Sequence, residues 1–223
     1  MTHAAAMAFL ALPAVAVALT GSILLRRALA RPVLLPEELA LAGAWVFAAG
    51  SLVWLEAALA DAVLLGFGRP WTWLAAAHFA AAGFGALTIT ALTCRAVSVP
   101  RLLRVVLVAH PVAYLITAAG ISGFRFCNEL GASIYEAIFV AQLGAFVFGG
   151  PHRMRRGPTV LLGVALTVPV VTGIFAISWA FRHPIFDLAE MVRYHGIVNA
   201  GGHIGASLLA FAWGRPRSHA PRV

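Results

Sequence analysis

The chain has 223 residues, of which 61% are hydrophobic and only 11% charged, and its mean hydropathy is +0.91. These values exclude a soluble globular domain and indicate a polytopic membrane protein, because apolar runs of about 20 residues recur along the sequence. The formal net charge of +8 does not mark a nucleic-acid partner, since the basic residues sit in short clusters between apolar runs, where membrane topology requires them.

The first span is expected over 4–25. No basic segment precedes it, and Arg26, Arg27 and Arg31 follow it. That is the pattern of a retained helix with its N-terminus outside rather than a cleaved leader. Pro32 and Pro36 close the connection. Glu37 and Glu38 then open the second helix, where negative charge suits the helix dipole. The second span runs over 39–66 and carries Trp54, Glu56 and Asp61. The third, over 71–94, begins with Trp71 and Trp73, which suit an interfacial aromatic belt, and carries His78 and Phe79. The fourth, over 102–120, holds the His110–Pro111 pair. The fifth, over 131–149, holds Tyr135, Glu136 and Gln142. The sixth, over 159–181, has little polar character beyond Pro169 and Trp179.

The seventh span, over 190–213, is EMVRYHGIVNAGGHIGASLLAFAW. It is apolar enough to cross a bilayer and too polar to be only an anchor. His195, Asn199 and His203 recur at a spacing of four. On an α-helix four residues advance about 400°, so these side chains form one slowly drifting stripe. Gly201 and Gly205 make a GxxxG pair of the kind that lets a neighbouring helix come close. Unpaired polar groups are costly in lipid, so the stripe requires partners.

Loop charge sets the orientation. Three arginines follow span one, three follow span three (Arg95, Arg101, Arg104), three follow span five (Arg153, Arg155, Arg156), and the tail has Arg215, Arg217 and Arg222. The alternate loops carry one each: Arg69, Arg125 and Arg182. This alternation predicts an all-α bundle of seven transmembrane helices in a single domain over 1–223, with the N-terminus outside and the C-terminus cytoplasmic. The expected location is a cell membrane, as a multi-pass protein of the bacterial inner membrane. All basic residues are Arg; the absence of Lys excludes Schiff-base chemistry on a side-chain amine. Cys94 and Cys127 fall near opposite faces, outside any CxxC, and read as free thiols.

Counting inward from the outer helix ends places Asp61, Glu136 and His195 about five residues deep, His78 about seven, and Glu56 and Asn199 about nine or ten. All fall in the outer half of the bilayer. Asn128 and Glu129 are expected in the loop above, and His110 and His203 nearer the midplane. Asp61 and Glu136 lie shallow enough to be hydrated. Glu56 sits too deep to reach water easily, so it is either protonated or faces a polar cavity. The expectation is a cavity open to the outer side, fed by helices two, three, five and seven.

Two patches carry a family resemblance. His78, Phe79, Ala82, Gly83 and Phe84 resemble the HFxxAGF pattern of YndJ-like bacterial membrane proteins, and His195, Gly196, Asn199 and Ala200 resemble their HGxxNA pattern. The size and seven-helix plan are also similar to those of the small integral-membrane terpene cyclases of meroterpenoid and indole-sesquiterpenoid pathways. That second resemblance implies a membrane-embedded acid that protonates an alkene or epoxide.

On this reading the protein cyclises a prenylated, lipophilic substrate without cofactor or metal. Glu56, held neutral by burial, is the expected donor. Asp61 and Glu136 are alternative acids, and His78, His195 or Asn199 would orient the donor or take the final proton. Trp54, Phe79, Tyr135 and Tyr194 would present π-faces to carbocations, with His203 also lining the substrate. No DDxxD cluster is present to bind a diphosphate through Mg²⁺. Two other classes stay open. Buried Glu and His suit a proton-coupled transporter or sensor. His78, His195 and Asp61 or Glu56 are the residue types of a zinc hydrolase of the ceramidase kind, although no HxxxH or HExxH occurs. The oligomeric state is not legible.

Overall fold

The computed structural model describes residues 2–97, 100–124, 126–149 and 154–215. Arg125, Arg153, Arg217 and Arg222, used above for orientation, lie outside the described residues. Among the described residues there are seven helices and no strand: α1 (His3–Leu29), α2 (Pro36–Ala60), α3 (Trp71–Ala96), α4 (Pro100–Ile121), α5 (Cys127–Phe148), α6 (Arg156–Ala180) and α7 (188–214). The first six are long and apolar enough to cross a membrane. An all-helical chain is what lipid demands, since a helix satisfies its backbone internally.

The chain divides into two compact units, Met1–Thr88 and Ile89–Val223, with the division inside α3. In the first unit α1 packs on α2, and α2 packs on the first half of α3. That half of α3 widens into a π turn over Phe79–Gly85. Its residues interlock with α2: Phe79 fills the space beside Gly50, Phe47 fills the space beside Gly83, and Phe84 meets Trp45 edge-on at 5.0 Å. Ser51 Oγ also donates to the Ala76 carbonyl at 2.8 Å. The HFxxAGF patch is therefore a helix-packing surface in this unit.

The second span ends earlier than expected, at Ala60 rather than 66. Asp61 takes a left-handed backbone (φ 54°), and Leu65 and Gly66 follow with φ 52° and 86°. No helix continues through residues of that handedness. Glu56 thus lies one turn from a helix end. Other boundaries shift as well. α5 begins at Cys127, so Asn128 and Glu129 belong to its first turn rather than to a loop, and Arg26 and Arg27 belong to the last turn of α1. Glu37 and Glu38 do open α2, but they are buried, and Glu38 accepts from Arg31 at 3.3 Å.

In the second unit α4 packs on α5, α5 on α6, and α6 on α7. The α4–α5 pair meets backbone to backbone: Gly131 lies so close to Thr117 that a Cβ there would come within 2.7 Å of the Thr117 nitrogen. Small residues at such crossings let van der Waals packing hold helices together in lipid. Gly131→Val is expected to destabilise the protein by roughly 1–3 kcal/mol or more through overpacking, measured as a lower midpoint in thermal unfolding of the detergent-solubilised protein. The second half of α3 is tied to α5 by a buried relay, Thr90 Oγ1 to Gln142 Oε1 at 3.2 Å and Gln142 Nε2 to Thr93 Oγ1 at 3.1 Å. Neither Cys94 nor Cys127 takes part in a disulfide among the described residues.

α7 opens with a capping box. Asp187 Oδ1 accepts from the Glu190 amide at 2.8 Å, and Glu190 Oε2 accepts from the Asp187 amide at 3.1 Å. Two π turns follow, Met191–Ile197 and Asn199–Gly205. In the expected GxxxG pair the neighbour is not where the motif placed it. Gly202 faces Val168 of α6, with a Cβ position 3.3 Å away, whereas a Cβ on Gly201 would meet nothing within 4 Å. The π turns rotate the glycines relative to a plain α-helix.

Candidate functional site

The polar stripe of α7 docks on α6. His195 Nδ1 lies 2.9 Å from the Thr172 carbonyl, and His203 Nδ1 lies 3.2 Å from the Ala165 carbonyl. A carbonyl only accepts, so each Nδ1 carries the proton and each Nε2 keeps a lone pair. Asn199 Nδ2 donates to Thr172 Oγ1 at 2.7 Å and to the His195 carbonyl at 2.7 Å. Thr172 Oγ1 in turn donates to the Val168 carbonyl at 3.0 Å. The contact of 3.4 Å between Asn199 Nδ2 and His195 Nδ1 joins two donors and is no hydrogen bond. On a plain α-helix the stripe would drift by about 40° per step of four. π turns are wider, and all three side chains reach α6.

Glu136 arrives at the same turn of α6 from α5. Its carboxylate occupies the space that a side chain at position 173 would take, beside Gly173. Its Oε2 is buried and has no hydrogen-bond partner among the described residues. Glu136, Thr172, His195 and Asn199 therefore converge on Thr172–Gly173, and the absence of a side chain at Gly173 is what admits the acid.

Toward the middle of the same helices lies a group of rings. His110 of α4 meets Tyr135 edge-on at 5.2 Å and Phe139 at 6.3 Å. Phe139 stacks on Tyr135 at 5.9 Å and meets His203 edge-on at 5.6 Å. His110 and His203 are fully buried, and Tyr135 is 9% exposed. Near the start of α7, Tyr194 packs on Phe186 at 5.2 Å, with Arg193 6.0 Å above its ring. Tyr194 itself is 42% exposed.

The remaining expected site residues belong to the first unit. Glu56 Oε1 pairs with His3 Nδ1 at 2.7 Å, and the His3 side chain is 64% exposed. Asp61 caps α2 and pairs with Arg69 at 3.0 Å, both well exposed. Trp54 meets Phe67 edge-on at 6.3 Å. Phe79 is engaged with Gly50. His78 sits at the junction where α3 passes from α-helix to π turn.

The expected site residues thus fall into two sets, Trp54, Glu56, Asp61, His78 and Phe79 in the first unit, and Tyr135, Glu136, Tyr194, His195, Asn199 and His203 in the second. The sequence reading did not include His110, Phe139 or Thr172 in the site. His110 had a usable signal: it is the single imidazole of its span and was counted to the same depth as His203. Thr172 had none, since its role follows from the facing of α6 and α7. Among the described residues no group of three or more His, Cys, Asp or Glu side chains is arranged to hold a metal ion.

Neither the curated proteins nor the solved structures contain a match to this sequence. A protein-family comparison does: residues 1–203 match the YndJ-like protein family. The matched region includes both patches, around His78 and His195, and reaches His203. The chain belongs to the YndJ-like family.

Proposed function

We propose that this protein is an integral-membrane enzyme that cyclises a prenylated, lipophilic substrate by proton transfer, with Glu136 as the acid. The bundle would cross a cell membrane seven times, with its N-terminus outside, and the substrate would enter from lipid. The observation that carries the reading is the Glu136 carboxyl. It reaches a helix crossing, has one oxygen without a partner among the described residues, and lies one residue along α5 from the Tyr135–Phe139 stack.

The chemistry follows from these groups. Protonated Glu136 gives its proton to an alkene carbon, forming a C–H bond and a carbocation on the neighbouring carbon. A second double bond of the substrate attacks that cation and forms a C–C bond. Loss of a proton to a base ends the sequence, so the product is an isomer of the substrate. His195 Nε2 supplies the base, because the Thr172 carbonyl holds the proton on Nδ1. His195 then releases that proton to water, and Glu136 takes one from water for the next turnover. The faces of Tyr135 and Phe139 stabilise the cation.

The test is expression in a host that supplies farnesylated aromatic acceptors, followed by mass spectrometry and NMR of lipid extracts. A product of unchanged mass with fewer double bonds, absent from cells without the protein, supports the reading. Absence of any such product from folded protein, across several acceptors, removes it. A second reading, a proton-coupled transporter or sensor, is favoured by the two π turns and the His195–Asn199–His203 ladder of α7, because π turns mark adjustable points in helices. Proton uptake into proteoliposomes coupled to solute entry, with no isomer formed, would favour it instead.

A further inference from the structure

Among the polar atoms of the ring group, the Tyr135 hydroxyl and His203 Nε2 are not used by the reaction above. Both are buried, and neither has a hydrogen-bond partner among the described residues. They are opposite in kind. The phenol is a donor, and His203 Nε2 is an acceptor because Nδ1–H is committed to the Ala165 carbonyl. The rings that carry them both contact Phe139, which stacks on the Tyr135 ring and meets the His203 ring edge-on. His110, itself fully buried, closes the group from α4. A buried donor and a buried acceptor left open beside one ring call for a group that accepts and donates at once.

We propose that Tyr135 and His203 form a binding site for the hydroxyl group of an apolar molecule, an isoprenoid alcohol or a prenylated phenol. Its oxygen accepts from Tyr135 and its proton goes to His203 Nε2. A ketone or ester accepts only and leaves His203 open. An ammonium donates only and brings an unpaired charge into an aromatic setting. The apolar remainder of the molecule suits the surroundings, since the neighbouring side chains are rings and lie at mid-helix in α4, α5 and α7. The inference deepens the function proposed above by naming the polar end of the substrate, and the binding itself does not depend on catalysis.

The experiment uses the full chain in phosphatidylcholine nanodiscs, with tritiated farnesol and farnesyl methyl ether as probes. The ether keeps the acceptor and the tail but has no proton for His203. Farnesol is expected to bind at least ~10-fold more tightly than the ether, as a missing donor leaves a buried acceptor unpaired. Tyr135→Phe keeps the ring but removes the donor that both probes use, so both should bind about 3–10-fold more weakly while the preference for farnesol persists. Equal binding of the two probes to wild type overturns the proposal, as does binding of neither, which would leave a buried water as the occupant. Undiminished farnesol affinity in a folded Tyr135→Phe protein overturns it too, because the alcohol would then sit elsewhere. If the variant does not fold, the wild-type comparison of alcohol with ether still decides. Farnesol bound selectively with no cyclised product would sink the cyclase and keep this site. Equal cyclisation of free and O-methylated acceptors would do the reverse.

Discussion

Glu136→Gln is expected to abolish cyclisation, lowering product by about 10²–10⁴-fold, the usual contribution of a positioned general acid. Gln keeps the shape and fills the space beside Gly173 but has no acidic proton. Glu56→Gln, by contrast, should leave activity close to wild type, because Glu56 is engaged with the exposed His3 one turn from the end of α2. Product yield per folded protein in lipid extracts separates the two. Activity that survives in Glu136→Gln and falls in Glu56→Gln would return the acid to the first unit.

The second large effect is steric. Gly173→Ala puts a methyl group where the Glu136 carboxylate now lies. The acid must move by an ångström or more, and a misplacement of that size costs about 10²-fold in rate. Glu136→Asp shortens the acid by one methylene and makes room. The double variant Gly173→Ala/Glu136→Asp should therefore be more active than Gly173→Ala alone. Such a gain from two individually harmful changes reports direct contact between the positions. Full activity in Gly173→Ala would mean that the placement of Glu136 against α6 does not matter to turnover.

The helices were legible because each apolar run is long, and charged or proline-rich segments separate them. Their ends were less so. The second span read through to residue 66 because 61–66 remain largely apolar, yet the left-handed turn at Asp61 stops it at Ala60. The error in one boundary carried over to the depth assigned to Glu56. The stripe His195, Asn199, His203 was legible from spacing alone. Its two π turns were not, because a wider turn depends on how glycine-rich backbone packs against α6, and nothing in the spacing encodes that. The HFxxAGF patch shows the same limit. Its residues stand out in sequence, but only the structure reveals that Phe79 and Gly83 interlock with Gly50 and Phe47 of α2. Depth counting grouped Glu56 with Glu136; it cannot assign side chains to one compact unit or another.

Running the reaction in D₂O tests the central claim most directly. If an exchangeable carboxyl proton starts the cyclisation, each product molecule carries one deuterium on carbon, at the position where protonation began, and its mass rises by that one deuterium. Product formed in D₂O without carbon-bound deuterium would contradict proton initiation, and with it the role assigned to Glu136.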